Sequence, residues 1–530
     1  MILLMSPGVK KAKKRRAAQR RDKKQAERKH DSKQRPYMAW KHLTRNQKEV
    51  AQRMAHGQGC DYVHDGSWGF FDRFMIFLKG VNYLATLDLD GRGYTRKMIT
   101  IAKLLLTYQA RVLLGIESVN KIPYLLFGDL GLLMTLGWTA SQIKEGVCKR
   151  GEGKHKGPIH KDTLPDCLER LGAEEITKSL NDGIKLLKKI GVKFSGTFAI
   201  DATDLKTTAK CRGRGVKRIE HKKRDKDGNL VVIPEMIYGF KLLLVFDVFN
   251  RYVAAAKMVK IQESENPLLL ELVDQARKNI GRDVIKLVLV DRGFLDGGRL
   301  WTLKYKRGID FVVPAKTNLI ITNDIRGMRD LPEDVNLHRQ QWETEKGLVK
   351  TIGVAGFRTF DEYHDPKRKR AQPEQINAVM VTCWNGREYK PGKEKVFLSS
   401  LDVSKPRVVI DEYDLRSLIE NCANRDLKQG WLINRYPKKQ VDAIRAHVFL
   451  TIGMFNMTLA YRTEKGEQIA DECIRRYRVK TMHRTRHKCM IVCGDHYAIF
   501  DLEELMMLLG QPVRCPMRSD EEEFRKLHGL

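Results

Sequence analysis

Apolar side chains recur every three or four residues through the first third of the chain, between residues 37 and 195. The clearest examples are the runs at residues 99–106 and 180–190. This spacing places the apolar side chains on one face of a helix, and no stretch in the region alternates as a half-buried strand would. We therefore predict an all-α N-terminal region.

The spacing changes at Phe194, where short and nearly continuous apolar runs begin. These runs predict, in order, a strand, the two strands of a hairpin, a helix, a strand, a helix and a final strand at residues 309–314. This order is typical of a mixed sheet flanked by helices, and it resembles the RNase H-like arrangement. We predict an α/β core whose first part covers residues 196–318.

The core is predicted to be interrupted and then resumed. Apolar runs at residues 320–321, 351–354, 378–382 and 395–398, separated by Pro, Gly and charged clusters, predict a strand-rich insertion at residues 319–400. Helical spacing returns at residues 401–462, which we assign to the second part of the same core. The C-terminal region, residues 463–530, is predicted to contain a hairpin and a short helix.

The chain is strongly basic, with 98 Lys and Arg against 65 Asp and Glu and a formal charge of +33. Such an excess implies a polyanionic partner, and double-stranded DNA is the first candidate. An anionic membrane is the alternative, but apolar runs such as residues 448–459 are too short to cross a bilayer. We expect buried core helices and no membrane association.

The basic residues are concentrated at the start of the chain. Residues 1–36 hold 14 Lys and Arg against 3 acidic residues and contain no aromatic residue, which predicts a disordered basic arm. The arm is either a solvated tail or a segment that follows DNA phosphates. The opening apolar stretch is too short for a secretory signal, and the ten cysteines follow no disulfide framework. We expect a cytoplasmic protein with reduced thiols.

Two predicted helices within residues 37–195 are joined by a basic, glycine-rich link at residues 150–157. The helices cover residues 132–139 and 161–168. A helix-turn-helix would place the second of them in a DNA major groove, and an ordinary helical bundle explains the pattern equally well. We assign residues 37–195 to a helical DNA-binding region.

Two aspartates follow predicted apolar strands. Asp201 comes after the run at residues 198–200, and Asp291 comes after the run at residues 285–290. Side chains just beyond strand ends point into a crevice of an open sheet, where chemistry takes place. A single such aspartate is more often a helix cap or turn residue. Two of them in a basic chain favour metal-assisted cleavage of phosphate esters, because hard divalent cations prefer carboxylate oxygens.

A third acid is predicted on a helix around residues 411–420. Tyr413, Arg416 and Glu420 stand at positions i, i+3 and i+7, which places them on one helical face. Leu415, Leu418 and neighbouring apolar residues can bury an adjoining face. The alternative is a solvated face with salt bridges and no chemical role.

These residues resemble the acidic triad of DDE transposases, in particular the bacterial insertion-sequence-four superfamily with its Tyr-Arg-Glu-Lys signature. Asp201 stands in Ile-Asp-Ala-Thr-Asp-Leu, Asp291 in Val-Asp-Arg-Gly, and Glu420 in Tyr-x2-Arg-x3-Glu. The family has an RNase H-like core with a strand-rich insertion between the second Asp and the Glu, and the separation of 129 positions from Asp291 to Glu420 leaves room for one. The resemblance covers about residues 195–462.

The chain departs from the signature at one position. Six residues separate Glu and Lys in the family, which would place the lysine at Leu427, whereas this chain has Lys428. The two positions differ by about 100° around a regular helix, so a DNA contact from Lys428 stays open and Arg425 is an alternative. The resemblance also implies DNA contacts for Tyr413 and Arg416, with Arg292 as a further candidate.

The resemblance implies a cut-and-paste DNA transposase. Asp201, Asp291 and Glu420 would hold two Mg²⁺ ions, with Mn²⁺ as a possible substitute, while the protein cleaves at transposon ends and transfers the strands into target DNA. The expected partners are terminal inverted repeats and target DNA, bound by a homodimer in the bacterial nucleoid. Trp342 or Trp384 could stack on an unpaired base. The alternatives are a metal-dependent nuclease without joining activity and a catalytically inactive DNA-binding protein derived from a transposase.

Overall fold

The computed structural model describes residues 43–66, 69–89, 99–147, 157–224, 230–368, 372–464 and 488–510. The predicted basic arm, residues 1–36, lies outside the described residues. Contacts within the chain define two compact units. Unit 1 consists of residues 1–73, 123–160 and 482–530, and unit 2 consists of residues 74–122 and 161–481.

The strands of the described residues are, in chain order, β1 Thr44–Arg45, β2 Tyr62–Gly66, β3 Thr197–Thr207, β4 Gly215–Arg224, β5 Leu230–Asp247, β6 Val253–Lys260, β7 Leu287–Val290, β8 Asp310–Pro314, β9 Leu337–Thr344, β10 Gly347–Phe357, β11 Ile376–Trp384, β12 Arg387–Glu388, β13 Lys395–Ser399, β14 Lys488–Cys493 and β15 His496–Asp501.

The α-helices of the same residues are α1 Gln47–Ala55, α2 Gly69–Gly80, α3 Ile101–Leu113, α4 Ile122–Leu125, α5 Leu130–Thr135, α6 Ala140–Glu145, α7 Thr163–Arg170, α8 Ala173–Lys189, α9 Leu269–Ile280, α10 Gly297–Trp301, α11 Ile320–Gly327, α12 Pro406–Asp414, α13 Arg425–Gln429, α14 Val441–Glu464 and α15 Leu502–Leu508. Two π-helical segments, Thr302–Lys306 and Ile419–Asn424, directly follow helical residues.

Unit 1 contains a four-stranded sheet in the order β1-β15-β14-β2. The hairpin β14–β15 and the helix after it were predicted from the sequence. The strands β1 and β2 were not, and they correct the expectation of an entirely helical N-terminal region. Both short strands pair with the C-terminal hairpin, so their conformation depends on partners at the far end of the chain, which local periodicity cannot reveal. The other regular elements described between residues 43 and 195 are helical, as predicted.

The core of unit 1 joins α1 to this sheet. Val50 and Ala51 of α1 are fully buried against Ile491, Ala498 and Phe500 of the hairpin. Burying these side chains removes apolar surface from water, which is the main stabilising contribution to such a small layer. The two ends of the described chain are therefore held together by one apolar cluster.

Unit 2 is built on an eleven-stranded mixed sheet. Its first half has the order β6-β5-β3-β7-β8, in which β5 is antiparallel to β3 and β6, whereas β7 and β8 run parallel to β3. The central strands are buried because their residues are almost all apolar, and α9 packs its Leu272, Val273 and Ala276 side inward. This is the predicted RNase H-like mixed sheet with flanking helices.

The insertion continues the same sheet. β13 pairs antiparallel with β8, and β11, β10 and β9 follow in that order. The predicted apolar runs at residues 351–354, 378–382 and 395–398 lie in β10, β11 and β13. The run at residues 320–321 was wrongly interpreted as extended, because it begins α11, where Ile321 and Ile325 are buried one helical turn apart.

The longest helix, α14, is the core helix of unit 2. Its segment Val441–Thr463 is long and apolar enough to cross a membrane by length and composition, and 89% of an 18-residue stretch within it is buried inside the protein. Buried side chains at this level are typical of a core helix that packs on neighbouring elements. The helix extends well beyond the apolar run at residues 448–459 from which a buried helix was predicted.

The candidate helix-turn-helix falls on α5 with the turn after it and on α7. α5 belongs to unit 1 and α7 to unit 2, and most of the link between them lies outside the described residues. The DNA-binding role of residues 37–195 stays a prediction, as do the domain boundaries predicted from the sequence.

Candidate active site

The two aspartates lie side by side at one end of the β3–β7 ladder. The last register pair of these parallel strands is Ile200 with Val290, so Asp201 and Asp291 are the next residues on adjacent strands. The preceding residues of both strands are fully buried, which fixes the backbone that carries the carboxylates. The sequence suggested that Asp201 ends a strand, but β3 continues past it to Thr207. Asp201 lies within β3 and pairs across to Leu244 of β5, and only the ladder to β7 ends there.

Asp291 also caps the turn that follows it. Its Oδ1 accepts a hydrogen bond of 2.6 Å from the backbone N–H of Arg292, at the start of the 3₁₀ turn Arg292–Phe294. Gly293, within this turn, has a φ outside the left-handed region. The capping role that competes with a catalytic role at such positions is therefore present, and it involves one of the two carboxylate oxygens.

Glu420 reaches the same end of the sheet from an irregular helix. α12 ends at Asp414, a turn follows at residues 415–416, and Glu420 lies in the π-helical segment. The predicted single regular helix is thus broken before Glu420. Glu420 is held by Arg416, whose Nη2 donates to its Oε1 at 2.6 Å, and its side chain is 53% exposed.

Arg416 bridges Glu420 and Asp201. Its Nη1 lies 3.9 Å from Asp201 Oδ1, and both of these side chains are largely buried. The guanidinium is a fixed cation with several donors, so in this arrangement it compensates the charge of two carboxylates. A cation is therefore already accommodated between two of the three predicted acids.

The electrostatics of Asp201 show that the three acids lie within reach of one another. The pKa of Asp201 is raised from its usual 3.8 to about 6, mainly by burial. A backbone hydrogen bond and the charge of Arg416 oppose the shift, and the negative charges of Glu420 and Asp291 contribute to it. Loss of hydration disfavours the charged carboxylate, and like charges act in the same direction. A perturbed acid next to two others is a frequent feature of functional sites.

The donor set fits hard divalent cations. Asp201, Asp291 and Glu420 offer only carboxylate oxygens, the ligands that Mg²⁺ and Mn²⁺ prefer. Within the described part of the chain, no three His, Cys, Asp or Glu side chains stand close enough together to hold a metal ion. The Arg416 guanidinium instead contacts both Asp201 and Glu420. The three acids fit the cation by the chemistry of their donor atoms.

The π-helical segment changes the register of the residues that follow it. A π-helical turn contains about one residue more than an α-helical turn. In a regular helix Leu427 would lie on the same face as Glu420, and the extra residue places Lys428 there instead. Leu427 is 1% exposed in the core. Lys428 lies beside Asp204 and Asp201, whose charges raise its pKa against the larger lowering effect of burial.

Tyr413 lines the site with its ring. The ring packs 4.8 Å from that of Phe397, and the Arg416 guanidinium carbon lies 5.8 Å from the Tyr413 ring centre. Burial is the main cause that raises the pKa of Tyr413 to about 12, so the phenol stays neutral at physiological pH. Tyr413 therefore combines a packing role with a hydroxyl that can donate.

The side chains of the remaining sequence candidates are exposed or contact other residues. Arg292 is exposed on the turn after Asp291. The Nε atom of Arg425 lies 3.9 Å from Oδ1 of the neighbouring Asp426. Trp342 lies on β9 under the Arg407 guanidinium at 5.4 Å, and Trp384 lies on β11 with the Lys395 ammonium 6.0 Å from its ring centre. The site proper contains Tyr413, Arg416, Lys428 and the three acids.

One residue of the site was missed in the sequence. Asn424 lies at the end of the π-helical segment and donates from Nδ2 to Asp201 Oδ2 at 3.1 Å. No sequence signal distinguishes it, since an asparagine four residues after a glutamate is common on helix surfaces. Only the packing of the segment against β3 identifies it.

Comparison with known proteins identifies a matching protein family. The family model described as Transposase DDE domain matches residues 193–457, half of the chain, and this match includes all six residues of the site proper. No curated protein matches the chain significantly. Among solved structures, the chain is similar to a piggyBac transposase synaptic complex with hairpin DNA. The sequence identity is 13% and the TM-score 0.36, with 86% of this chain and 88% of that chain covered.

Proposed function

The chain belongs to the transposase DDE domain family, and we propose that it is a cut-and-paste DNA transposase of the insertion-sequence-four type. The observation that supports this proposal is that Asp201 and Asp291 follow the last register pair of two adjacent parallel strands, while Arg416 contacts both Asp201 and Glu420. The family match supports transposase activity in general. The Tyr-x2-Arg-x3-Glu spacing and the Lys428 register support the narrower assignment.

The reaction begins with hydrolysis at the end of the element. A water oxygen attacks phosphorus, the bond from phosphorus to the 3′-oxygen breaks, and a 3′-hydroxyl and a 5′-phosphate result. In strand transfer the new 3′-hydroxyl attacks a target phosphate and displaces the 3′-oxygen of the target strand. Two Mg²⁺ ions bound by Asp201, Asp291 and Glu420 would supply the activation of the nucleophile and the stabilisation of the leaving oxygen.

Arg416 and Lys428 would act on the DNA itself. Arg416 now compensates the charge of Asp201 and Glu420, and a scissile phosphate offers the same guanidinium two anionic oxygens, which it can bind in a bidentate manner. Lys428 places an ammonium at the same end of the sheet, where a phosphate would relieve the cost of its partial burial. Tyr413 could donate its hydroxyl to the same DNA backbone.

The partners follow from the chemistry of transposition. Two element ends must be cut and joined to one target, so we propose a homodimer assembled on terminal inverted repeats in the bacterial nucleoid. The charge of +33 supports extensive contact with double-stranded DNA.

The decisive experiment is incubation of the full chain with its own flanking DNA, a target plasmid and Mg²⁺, followed by mapping of cut and joined strands. A transposase yields both cleaved ends and covalent joints to the plasmid. Cleavage without joints would favour a metal-dependent nuclease. Specific end binding with no cleavage in Mg²⁺ or Mn²⁺ would favour an inactive, transposase-derived DNA-binding protein.

A further inference from the structure

Asn424 makes an unusual contact with the first acid of the site. It is 8% exposed, and its Nδ2 donates to Asp201 Oδ2 at 3.1 Å. An ionised carboxylate can only accept hydrogen bonds, so the amide nitrogen must face Asp201. The orientation of the amide group is therefore determined by its partner.

The oxygen atom of the same amide group accepts no hydrogen bond from the described residues. Asn424 Oδ1 is buried and has no hydrogen-bond partner among the described residues. Buried polar atoms are normally paired, and each exception requires a physical explanation. The protein accepts an unpaired oxygen in order to keep the amide nitrogen on Asp201.

The backbone places Asn424 for this contact. Asn424 is the last residue of the π-helical segment that carries Glu420, four positions after it, so the two side chains leave the segment on similar sides. Arg416 approaches Asp201 Oδ1 while Asn424 holds Oδ2. The two oxygens of Asp201 are thus assigned to different neighbours.

We infer that Asn424 is a positioning residue that holds Asp201 in the orientation required to bind the divalent cation. It fixes Oδ2 and so directs Oδ1 toward the space between Asp201 and Glu420. Hydrogen bonds to ligating carboxylates orient them, and loss of such an outer partner weakens metal binding or activity by about 10- to 100-fold. This inference rests on the proposed function, because it assigns Asp201 to the cation site.

The test is a titration of the full chain with Mn²⁺, in which electron paramagnetic resonance measures the concentration of the free ion. The Mn²⁺ that binds to the wild type and does not bind to Asp201→Asn is assigned to the candidate active site. Asn424→Leu keeps a similar shape and removes the donor, and we expect it to raise the dissociation constant for Mn²⁺ about tenfold. Asn424→Gln retains an amide on a longer side chain and should recover part of the loss.

The matched control is Asn279→Leu. Asn279 is also a buried asparagine of unit 2, 3% exposed, and it donates to Asn181 and to the backbone of Ala254. We expect this variant to bind Mn²⁺ like the wild type even if it unfolds at a lower temperature. An equal loss in both variants would show a general effect on folding and would overturn the inference.

Failure of the inference and failure of the proposed function give different results. If the wild type binds Mn²⁺ and cleaves DNA, and Asn424→Leu does both equally well, only the role of Asn424 is overturned. If the wild type lacks the Asp201-dependent Mn²⁺ site and does not cleave, the proposed function fails, and the inference fails with it.

Discussion

The two parts of the candidate site are built differently. Asp201 and Asp291 are carried by adjacent strands whose preceding residues are fully buried. Glu420 is carried by a helical segment that changes from α to π after a turn, and its carboxylate is 53% exposed and held by Arg416. One part is fixed by the core of the sheet, and the other is fixed by polar contacts at its surface.

This difference separates geometry that is rigid from geometry that can respond to a substrate. A carboxylate on a buried strand can move little without disturbing the sheet, because interiors are closely packed. The Arg416–Glu420 pair is partly solvated, and such pairs contribute little to stability. Binding of phosphate and cations can therefore rearrange the helical part while the strand part stays in place.

The largest expected effect comes from the strand part. Asp291→Asn removes one negative charge and keeps the shape of the side chain, so we expect DNA cleavage to fall by on the order of 10³-fold or more. Binding to the element end should remain within a few-fold of wild type, as measured by mobility shift. Loss of end binding together with cleavage would instead assign Asp291 to the cap and the fold.

The next effect concerns stability, again in the strand part. The pKa of Asp201 is raised to about 6, mainly by burial, so the ionised carboxylate destabilises the folded, metal-free protein at neutral pH. We expect Asp201→Asn to stabilise the protein by about 2 kcal/mol at pH 8 in EDTA. The measurement is the shift of the urea midpoint between the two proteins.

The pH dependence of this difference follows from the sign of the shift. Above pH 6 Asp201 is charged in both the folded and the unfolded state, and only the folded state bears the cost of burial. As the pH falls from 6 toward 4, the folded wild type takes up the proton first and gains stability. The advantage of Asp201→Asn should therefore disappear near pH 4, and a difference that stays constant from pH 8 to pH 4 would contradict the assignment.

The helical part yields a smaller expected effect, at Lys428. If the π-helical segment turns Lys428 toward DNA, Lys428→Ala should weaken binding to the element end about tenfold. The slope of log affinity against log salt concentration should also become less steep by about one. Lys185→Ala, on the surface of α8, is the control and should change neither quantity. If Arg425→Ala gives the loss and Lys428→Ala does not, the alternative considered for this position is correct.

The strand part could be predicted from the sequence, and the reason is local. Continuous apolar runs before Asp201 and Asp291 predict buried strands, and the order of elements predicts the mixed sheet. The pairing of β1 and β2 with the C-terminal hairpin could not be predicted, since it depends on residues distant in the chain. The contact of Asn424 with Asp201 and the π-helical segment before Lys428 could not be predicted either, because the local spacing of residues does not indicate a π-helical turn.

The smallest expected effect separates packing from hydrogen bonding in the helical part. Tyr413→Phe removes the hydroxyl and keeps the ring that packs 4.8 Å from Phe397, so the fold should be unchanged. If the hydroxyl donates to the DNA backbone, cleavage should fall by about fivefold, the value of one hydrogen bond of about 1 kcal/mol. Tyr413→Ala removes the ring as well and should cost considerably more. Wild-type cleavage by Tyr413→Phe would mean that Tyr413 only packs beneath Arg416, and the polar contacts of the helical part would then reduce to Arg416, Glu420 and Lys428.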